Sequence, residues 1–261
     1  MSDAAPPEPL PQTALVTGAA KRIGRAIARD LASIGFAVAV HHNDSAAEAD
    51  SLVAEIKAAG GRAVALAADF MKESETAALV SRAVRELGPL GCLVNNASRF
   101  EVDDAASTTR ESWDMNLETN LRAPFVLTQG FAAQLPADAH GAVINLTDER
   151  VWNLTPYFIS YTVSKAGLWT LTQTMALALA PRIRVNAIGP GPVLRSARQT
   201  QAQFERQCRA MPLKRGATLA EICQAVRFIL ATPSMTGQMI ALDGGQHLGW
   251  AQSSRGLIAE E

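Results

Sequence analysis

The chain has 261 residues, of which 48% are hydrophobic and 19% charged, and its net charge is −1. That length suits one globular α/β domain with a large core, and the lack of a basic surplus argues against nucleic acid or an anionic membrane as a partner. The three cysteines stand far apart and outside any metal-binding spacing. We therefore expect no metal, no disulfide framework and a reducing, cytoplasmic location.

The two ends of the chain differ in composition from the rest. Residues 1–11 are rich in proline and have neither the basic nor the apolar segment of a signal peptide, so we expect a disordered lead-in. No apolar run reaches the length that crosses a bilayer. The domain is expected to occupy residues 12–250, followed by a loose tail at 251–261.

The first predicted strand leads into a glycine-rich turn and a helix. Thr13–Thr17 is a short apolar run, and apolar residues at helical spacing cover Arg25–Ile34. Between them, Gly18 allows a tight turn and Gly24 lets the helix pack closely on the strand. The helix N-terminus after such a turn offers free N–H groups and a positive dipole end to a phosphate.

The turn departs from the usual Gly-x-Gly-x-x-Gly pattern, because Arg22 stands where a glycine is common. An ordinary β–α turn therefore stays open as an alternative. The two adjacent cations favour a dinucleotide over that alternative. The residues of the turn that we expect to bind it are Gly18, Lys21, Arg22, Ile23 and Gly24.

The second strand, Phe36–Val40, runs into a polar segment that bears on the choice of cofactor. Enzymes that prefer NAD tend to place an acid at the end of this strand, where it binds the ribose hydroxyls. Here His42 holds that place and Asp44 comes later, which favours NADP(H), although an inward carboxylate would repel the 2′-phosphate. Solvated loop residues are the alternative for the two histidines. The residues expected at the cofactor are His41, His42, Asn43 and Ser45.

Alternation of strands and helices continues to the end of the chain. Further strands are predicted at residues 63–67, 90–94, 141–147, 182–188 and 238–242, and further helices at 45–59, 72–87, 109–134, 157–180 and 218–230. The strands are continuous apolar runs, as in a parallel sheet covered on both faces. We therefore predict an α/β fold: a single-domain Rossmann-type doubly wound parallel sheet of about seven strands with helices on both faces. Residues 193–212 are polar and weakly patterned, which predicts a mobile substrate loop with a short helix.

Ligands bind at the carboxyl ends of the strands in such a sheet, and candidate residues of this chain converge there. Small or polar residues follow the third, fourth and sixth strands, although each strand end read alone is equally an ordinary turn. These further cofactor candidates are Asp69, Phe70, Asn96, Ala97, Ser98, Pro190 and Gly191.

A Tyr-x-x-x-Lys pattern follows the fifth strand. Tyr161 and Lys165 are four residues apart and would share one face of a helix. An ammonium beside a phenol lowers the phenol's pKa from about 10, so Tyr161 becomes a usable proton donor near neutral pH. Asp148, at the end of the fifth strand, would reach the same place from the side.

Taken together, these motifs resemble the short-chain dehydrogenase/reductase family from Thr13 to Gly245, nearly the whole chain. The resemblance implies that the turn at Thr17-Gly18 binds the dinucleotide and that Asp69 holds the adenine. It implies a homotetramer, because members usually assemble as tetramers. The family's catalytic and motif positions are matched by Asn95-Asn96-Ala97, Asn120, Tyr161, Lys165 and Pro190-Gly191.

Two departures from the family pattern resemble its pteridine reductase and dihydromonapterin reductase branch. The family usually has a serine where Asp148 stands, and Arg22 replaces the middle glycine of the turn. The runs TGAAKRIGRAIA and HHNDSAAEAD are also similar to that branch. There, an aromatic residue past the Asn-Ala-Ser motif stacks on the pterin, a position that Phe100 matches.

The resemblance implies a reductase that transfers hydride from NADPH to a C=N bond of a dihydropterin. Tyr161 would donate the proton, assisted by Lys165 and Asp148, and the carboxylate would accept from the N–H groups of the pterin. The expected substrate-binding residues are Arg22, Ser98, Phe100, Asp148 and Tyr161. A carbonyl reductase or alcohol dehydrogenase of the same family is the first alternative, and a catalytically inactive NADP-binding regulator is the second.

Overall fold

The computed structural model describes residues 10–249. Residues 1–9 of the lead-in expected at 1–11, residue 250 of the expected domain and the tail expected at 251–261 lie outside the described residues. Leu10 and Pro11, also expected in the lead-in, belong to the folded part. Leu10 packs against the core, and the Pro11 carbonyl accepts a hydrogen bond of 2.8 Å from the Thr13 amide. Within these residues we find no helix with the length and apolar character of a membrane span.

One parallel sheet organises the described part of the chain. Its strands are β1 (Thr13–Val16), β2 (Ala37–His42), β3 (Ala63–Ala67), β4 (Cys92–Asn95), β5 (Gly141–Leu146), β6 (Ile183–Pro190) and β7 (Met239–Leu242). Their order in the sheet is β3-β2-β1-β4-β5-β6-β7. The order reverses between β1 and β4, and a sheet of this kind binds ligands in the crevice beyond that point. The predicted doubly wound fold is confirmed.

Helices cover both faces of the sheet. They are α1 (Arg22–Ser33), α2 (Ala46–Ala58), α3 (Glu73–Leu87), α4 (Arg110–Leu117), α5 (Ala123–Gln134), α6 (Ile159–Leu179), α7 (Gln201–Ala210) and α8 (Leu219–Ala231). The strand side chains alternate between two core clusters. Ala14 and Val16 of β1 point to the cluster formed with α1, α2 and α8, whereas Leu15 points to the cluster formed with α3, α5 and α6.

The helix predicted over residues 109–134 is interrupted. A π-helical turn, Glu118–Arg122, separates α4 from α5. Pro124 explains the interruption, because a proline has no N–H to donate to the carbonyl four residues earlier and its ring clashes with that carbonyl. The carbonyl four residues before Pro124 belongs to Asn120, so the wide turn falls at the residue for which the family resemblance implies a catalytic role.

The predicted substrate loop, residues 193–212, contains the short helix that its sequence indicates. Helix α7 begins with a capping box, in which the Thr200 hydroxyl accepts from the Gln203 amide and the Gln203 side chain accepts from the Thr200 amide. Such reciprocal bonds satisfy backbone donors at a helix N-terminus. The loop thereby carries an ordered helix beside the carboxyl ends of β5 and β6.

Candidate active site

Tyr161 and Asp148 form the centre of the site. Asp148 follows β5 by two residues, and Tyr161 lies in the first turn of α6. The Tyr161 hydroxyl donates a hydrogen bond of 2.6 Å to Oδ2 of Asp148. The phenol is 6% exposed, and it faces a cleft that Asp148 also lines. A hydroxyl and a carboxylate at this distance can share and transfer a proton.

Lys165 lies behind the tyrosine ring rather than against its hydroxyl. Its Nζ atom donates a hydrogen bond of 2.8 Å to the Leu146 carbonyl and lies 5.7 Å from the centre of the Tyr161 ring. Burial lowers the pKa of Lys165 to about 8, and the charge of Asp148 opposes that shift. Lys165 is therefore protonated at neutral pH, and its ammonium interacts electrostatically with the Asp148 carboxylate.

Asp148 is held by the backbone that follows it. Its Oδ1 atom accepts a hydrogen bond of 2.9 Å from the Arg150 amide. Asp148 thereby caps the N-terminus of a short 3-10 helix, Glu149–Val151. The neighbouring hydroxyl of Thr147 cannot serve as the serine of the family pattern. It donates to the Ile188 carbonyl at 3.0 Å and is buried beside Met239, facing away from Tyr161.

The side chain of Asn120 is held by three hydrogen bonds outside the two clefts, and its predicted catalytic role stays a prediction. It accepts a hydrogen bond of 2.8 Å from the Arg99 amide and donates to the Arg99 carbonyl at 2.9 Å. It also donates to the Ser164 hydroxyl at 3.0 Å. Asn120 thus holds the loop after β4 through its side chain. Its backbone carbonyl lacks the usual helical donor, because residue 124 is a proline and has no N–H.

A cleft of about 400 Å³ opens at the carboxyl ends of β1, β2 and β4. It brings together the residues predicted for the adenosine and phosphate part of a dinucleotide. Tyr161, Pro190 and Gly191 line a second cleft, while Lys165 is buried behind it. The predicted cofactor residues that line the first cleft are Gly18, Lys21, Arg22, Ile23, Gly24, His41, His42, Asn43, Ser45, Asp69, Phe70, Asn96, Ala97 and Ser98.

The glycine-rich turn is shaped by close backbone contacts. Gly18 has a φ of +60°, and a Cβ on Gly24 would lie 2.3 Å from the Gly18 carbonyl oxygen. The Asn96 side chain donates to the carbonyls of Thr17 and Gly18 at 2.8 and 3.1 Å. At the start of α1, the N-cap residue Lys21 supplies no side-chain acceptor. The first N–H groups of α1 therefore face the cleft, as an anion-binding turn requires.

His41 supports this turn through both ring nitrogens and also lines the first cleft, so its predicted contact with the cofactor stays a prediction. The ring is 2% exposed and stacks on Phe70 at 4.3 Å. Its Nδ1 accepts from the Gly18 amide at 3.0 Å, so Nε2 carries the proton and donates to the Ala68 carbonyl at 3.1 Å. Burial lowers the pKa of His41 to about 4, which keeps the ring neutral at physiological pH.

Charges at the mouth of the first cleft are partly paired. Lys21 forms an ion pair of 2.8 Å with Glu48, and Asp44 lines the cleft beside Ser45, whose hydroxyl donates to it at 3.3 Å. The cation that was expected to attract a phosphate is thus shared with a carboxylate. Because both partners are about half exposed, the pair contributes little stability and can be exchanged for another anion.

The second cleft, of about 210 Å³, lies over Tyr161 and Asp148. Phe100 borders it, but one face of the Phe100 ring is covered by Phe158 at 4.5 Å. The edge contact of Phe100 with Tyr161 measures 4.7 Å between ring centres. The guanidinium of Arg150 lies 4.7 Å from the Phe158 ring. Phe100 therefore offers a substrate at most the face that Phe158 leaves open.

Arg22 and Arg198 connect the substrate loop to the two clefts. Arg22, which lines both clefts, donates to the carbonyls of Leu194 and Arg195 at 3.1 and 3.0 Å. Arg198 donates to the Phe100 carbonyl at 2.8 Å and forms an ion pair of the same length with a neighbouring glutamate. These hydrogen bonds join the first part of the substrate loop to the start of α1 on one side and to the segment around Phe100 on the other.

Sequence reasoning missed several residues of the second cleft. They lie on the short helix after Asp148, on the substrate loop and just after β7, and no repeated spacing distinguishes them. A run of charged and aromatic residues after Asp148 is the signal that could have marked some of them. The missed residues are Glu149, Arg150, Gln199, Phe204, Gln207 and Gln246.

Comparison with protein families gives one model that fits most of the chain. The short chain dehydrogenase model matches residues 12–206. A curated relative, the 3-oxoacyl-[acyl-carrier-protein] reductase FabG of Staphylococcus epidermidis, is 34% identical over 242 residues. That match covers 91% of this chain and 99% of the relative.

Solved structures of similar proteins extend the comparison to three dimensions. FolM alternative dihydrofolate reductase 1 from Brucella suis, solved in complex with NADP, is 47% identical, with a TM-score of 0.89. The match covers 92% of this chain and 97% of that one. The Brucella canis protein of the same description, also complexed with NADP, is 46% identical with a TM-score of 0.90, over 94% of this chain and 97% of that one.

Proposed function

The chain belongs to the short-chain dehydrogenase family, and we propose that it is an NADP-dependent reductase of dihydropterins, including dihydrofolate. The observation that carries the proposal is the hydrogen bond of 2.6 Å between Tyr161 and Asp148, at the position where the family pattern has a serine. The identity of 47% with a FolM alternative dihydrofolate reductase supports the same reading.

The first cleft fits a dinucleotide phosphate. The N–H groups at the start of α1 face it, and Gly24 leaves no room for a side chain between α1 and the turn. The similar Brucella proteins were solved with NADP, which favours NADP(H) here. Bound in that cleft, NADPH supplies the hydride. Asp44 stays the feature that argues against a 2′-phosphate, and Lys21 and Ser45 are the residues that offset it.

The second cleft fits a ring that presents N–H donors. The carboxylate of Asp148 lies on the cleft wall and can accept hydrogen bonds from amino and ring N–H groups. A simple ketone has no such N–H donor. Tyr161 holds a proton on its hydroxyl and can donate it to a ring nitrogen. The Lys165 ammonium, buried behind the phenol, favours the negative charge that remains on the Tyr161–Asp148 pair. Phe100 supplies an aromatic face beside them.

A carbonyl reductase is the second candidate. It is favoured by the 34% identity with FabG over almost the full length of that protein. An NADP-binding regulator without activity is the third, and the direct contact of Tyr161 with Asp148 argues against it.

We also propose a homotetramer in the cytoplasm. Sedimentation of a monomer at micromolar concentration would contradict the tetramer.

The decisive experiment follows NADPH oxidation with dihydrofolate, dihydromonapterin and dihydrobiopterin, beside NADH and a panel of ketones and 3-oxoacyl thioesters. The variant Asp148→Ser restores the family pattern, and Asp138→Ser, at an exposed turn, is the matched control. We expect pterin turnover to fall at least about 100-fold in Asp148→Ser while the KM for NADPH stays unchanged. Ketone turnover that persists or improves in the same variant, with pterins inert in the wild type, would establish the carbonyl reductase instead.

A further inference from the structure

Asp103, a buried acid outside the two clefts, connects the loop that carries Phe100 to the helix that carries Tyr161. Asp103 lies in the loop between β4 and α4 and is 2% exposed. Its Oδ2 atom accepts a short hydrogen bond from the Ser160 hydroxyl, and Oδ1 accepts from the Ser160 amide at 3.3 Å. Its backbone carbonyl accepts from the Phe158 amide at 2.7 Å. One residue thus binds the start of α6 through three acceptors.

The backbone that Asp103 holds is in an uncommon conformation. Phe158, the N-cap of α6, has a φ of +58°, in the left-handed region that side chains other than glycine rarely adopt. Such a conformation persists only where surrounding contacts determine it. Two contacts do so here: the hydrogen bond from the Phe158 amide to Asp103, and the stacking of the Phe158 ring on Phe100.

The groups on either side of this contact are the ones that face the substrate. Phe100 precedes Asp103 by three residues, and Tyr161 directly follows Ser160. Asn116 donates to the Ser160 hydroxyl at 2.8 Å, so Ser160 is held from the helix α4 as well. A carboxylate at the first turn of α6 also interacts favourably with the positive end of the helix dipole.

We propose that Asp103 is a positioning residue for the reaction, acting through Ser160 and Phe158 to set the Tyr161 hydroxyl and the Phe100 ring in register. The proposal rests on the role of Tyr161 as proton donor in the proposed function. Asp103 touches neither cleft, and its effect is geometric. A displacement of about 1 Å at a reacting group can lower turnover about 100-fold.

The test compares three variants that weaken the contact to different degrees. Asp103→Asn keeps an acceptor for Ser160, Asp103→Leu removes both side-chain acceptors, and Ser160→Ala removes only the hydroxyl. Asp104→Asn and Asp104→Leu are the matched controls, because the Asp104 carboxylate accepts hydrogen bonds only within its own turn, from Ala106 and Ser107. We expect kcat to fall roughly 10- to 100-fold in Asp103→Leu and less in Asp103→Asn, with the KM for NADPH unchanged.

A second readout does not depend on turnover. Hydrogen exchange of the Ser160 backbone amide, whose acceptor is the Asp103 side chain, should accelerate in Asp103→Leu and stay as in the wild type in the Asp104 variants. Combining Asp103→Leu with Ser160→Ala should lower kcat by less than the product of the two single effects, because both variants remove the hydrogen bond between the Ser160 hydroxyl and Asp103. Unchanged kcat in folded Asp103→Leu, or equal losses in Asp104→Leu, would overturn the proposal.

Failure of the proposed function gives a different pattern from failure of this inference. If the wild type reduces carbonyl compounds and no pterin, the pterin assignment is wrong, and the same kcat comparison is made with the carbonyl substrate. Tyr161 donates the proton in either reaction, so the ordering of the Asp103 variants should persist. If exchange at the Ser160 amide does not change in Asp103→Leu, the positioning role is wrong whichever substrate is used.

Discussion

Replacing Lys165 by methionine should stabilise the protein at neutral pH while it removes activity. The lysine is 2% exposed, and burial lowers its pKa from 10.5 to about 8. One pKa unit corresponds to about 1.4 kcal/mol, so the buried charge costs about 3 kcal/mol near pH 7. The variant also loses the hydrogen bond to the Leu146 carbonyl, worth about 1 kcal/mol. We expect a net gain of about 1–2 kcal/mol.

The pH dependence gives this prediction a sign that can be checked. The folded pKa of Lys165 lies below its unfolded value, so both states are protonated below about pH 8 and the destabilisation is complete there. Between about pH 8 and 10.5 the unfolded state binds more protons, and the stability of the wild type rises with pH. The advantage of Lys165→Met should therefore shrink and then reverse. The raised pKa values of Cys92 and Cys223, about 12 and 11, lower the stability of both proteins alike at high pH.

The measurement is thermal unfolding of the wild type and Lys165→Met at about pH 7, 8.5 and 10, with Lys57→Met as control. Lys57 is exposed in the last turn of α2, so its replacement should shift the midpoint little at any pH. For a domain of this size, 1 kcal/mol shifts the midpoint by about 2–4 °C. A Lys165→Met variant that is less stable at pH 7, with a difference that does not change with pH, would refute the reasoning.

Three further predictions concern the turn, the loop and the buried histidine. Gly24→Ala places a Cβ 2.3 Å from the Gly18 carbonyl oxygen, so we expect a loss of about 1–3 kcal/mol and weaker NADPH binding in a fluorescence titration. Arg198→Gln removes the ion pair that holds the loop to the segment after Phe100, which should raise the substrate KM up to about fivefold with little change in kcat. His41→Phe should reduce the fall in wild-type stability from pH 6.5 towards 4 in urea titrations, because the lowered pKa makes the unfolded state bind the proton first.

Each of these variants has a control in the same chain. Gly130→Ala adds a methyl group that meets Val80 no closer than 3.4 Å, so it should leave NADPH binding intact. Arg209→Gln removes an ion pair of 3.6 Å within α7 and should leave the substrate KM unchanged. His140→Phe changes a histidine that directly precedes β5, at the amino ends of the parallel strands, whereas the turn lies at their carboxyl ends. Equal effects in a control and its partner variant would contradict the corresponding prediction.

Much of the fold follows from the sequence because strands and helices are encoded by local periodicity. The apolar runs fixed the seven strands within two residues at most ends, and Gly18 and Gly24 identified the turn. The π-helical turn around Asn120 was missed, since it results from one missing donor at Pro124 inside an otherwise helical pattern. Its consequence, a side chain turned to Arg99, could not be anticipated from spacing.

The site was predictable where its residues lie on one element or at strand ends. Tyr161 and Lys165 share a helix face, and Asp148 ends the adjoining strand. The contact of Asp103 with Ser160 joins segments 57 positions apart, and neither residue belongs to a repeated pattern. The stacking of Phe100 on Phe158 depends on a left-handed backbone that no propensity favours. Such long-range contacts are decided by packing of the finished fold.

The Arg22 guanidinium lies between two possible binding partners, the substrate loop and a phosphate in the first cleft. Arg22 lines the first cleft, and its guanidinium donates hydrogen bonds to the loop carbonyls of Leu194 and Arg195. If a phosphate in that cleft also bound Arg22, the factor by which the phosphate changed the closure of the loop would equal the factor by which closure changed the affinity for the phosphate. Cofactor binding and loop closure would then be coupled through a single side chain.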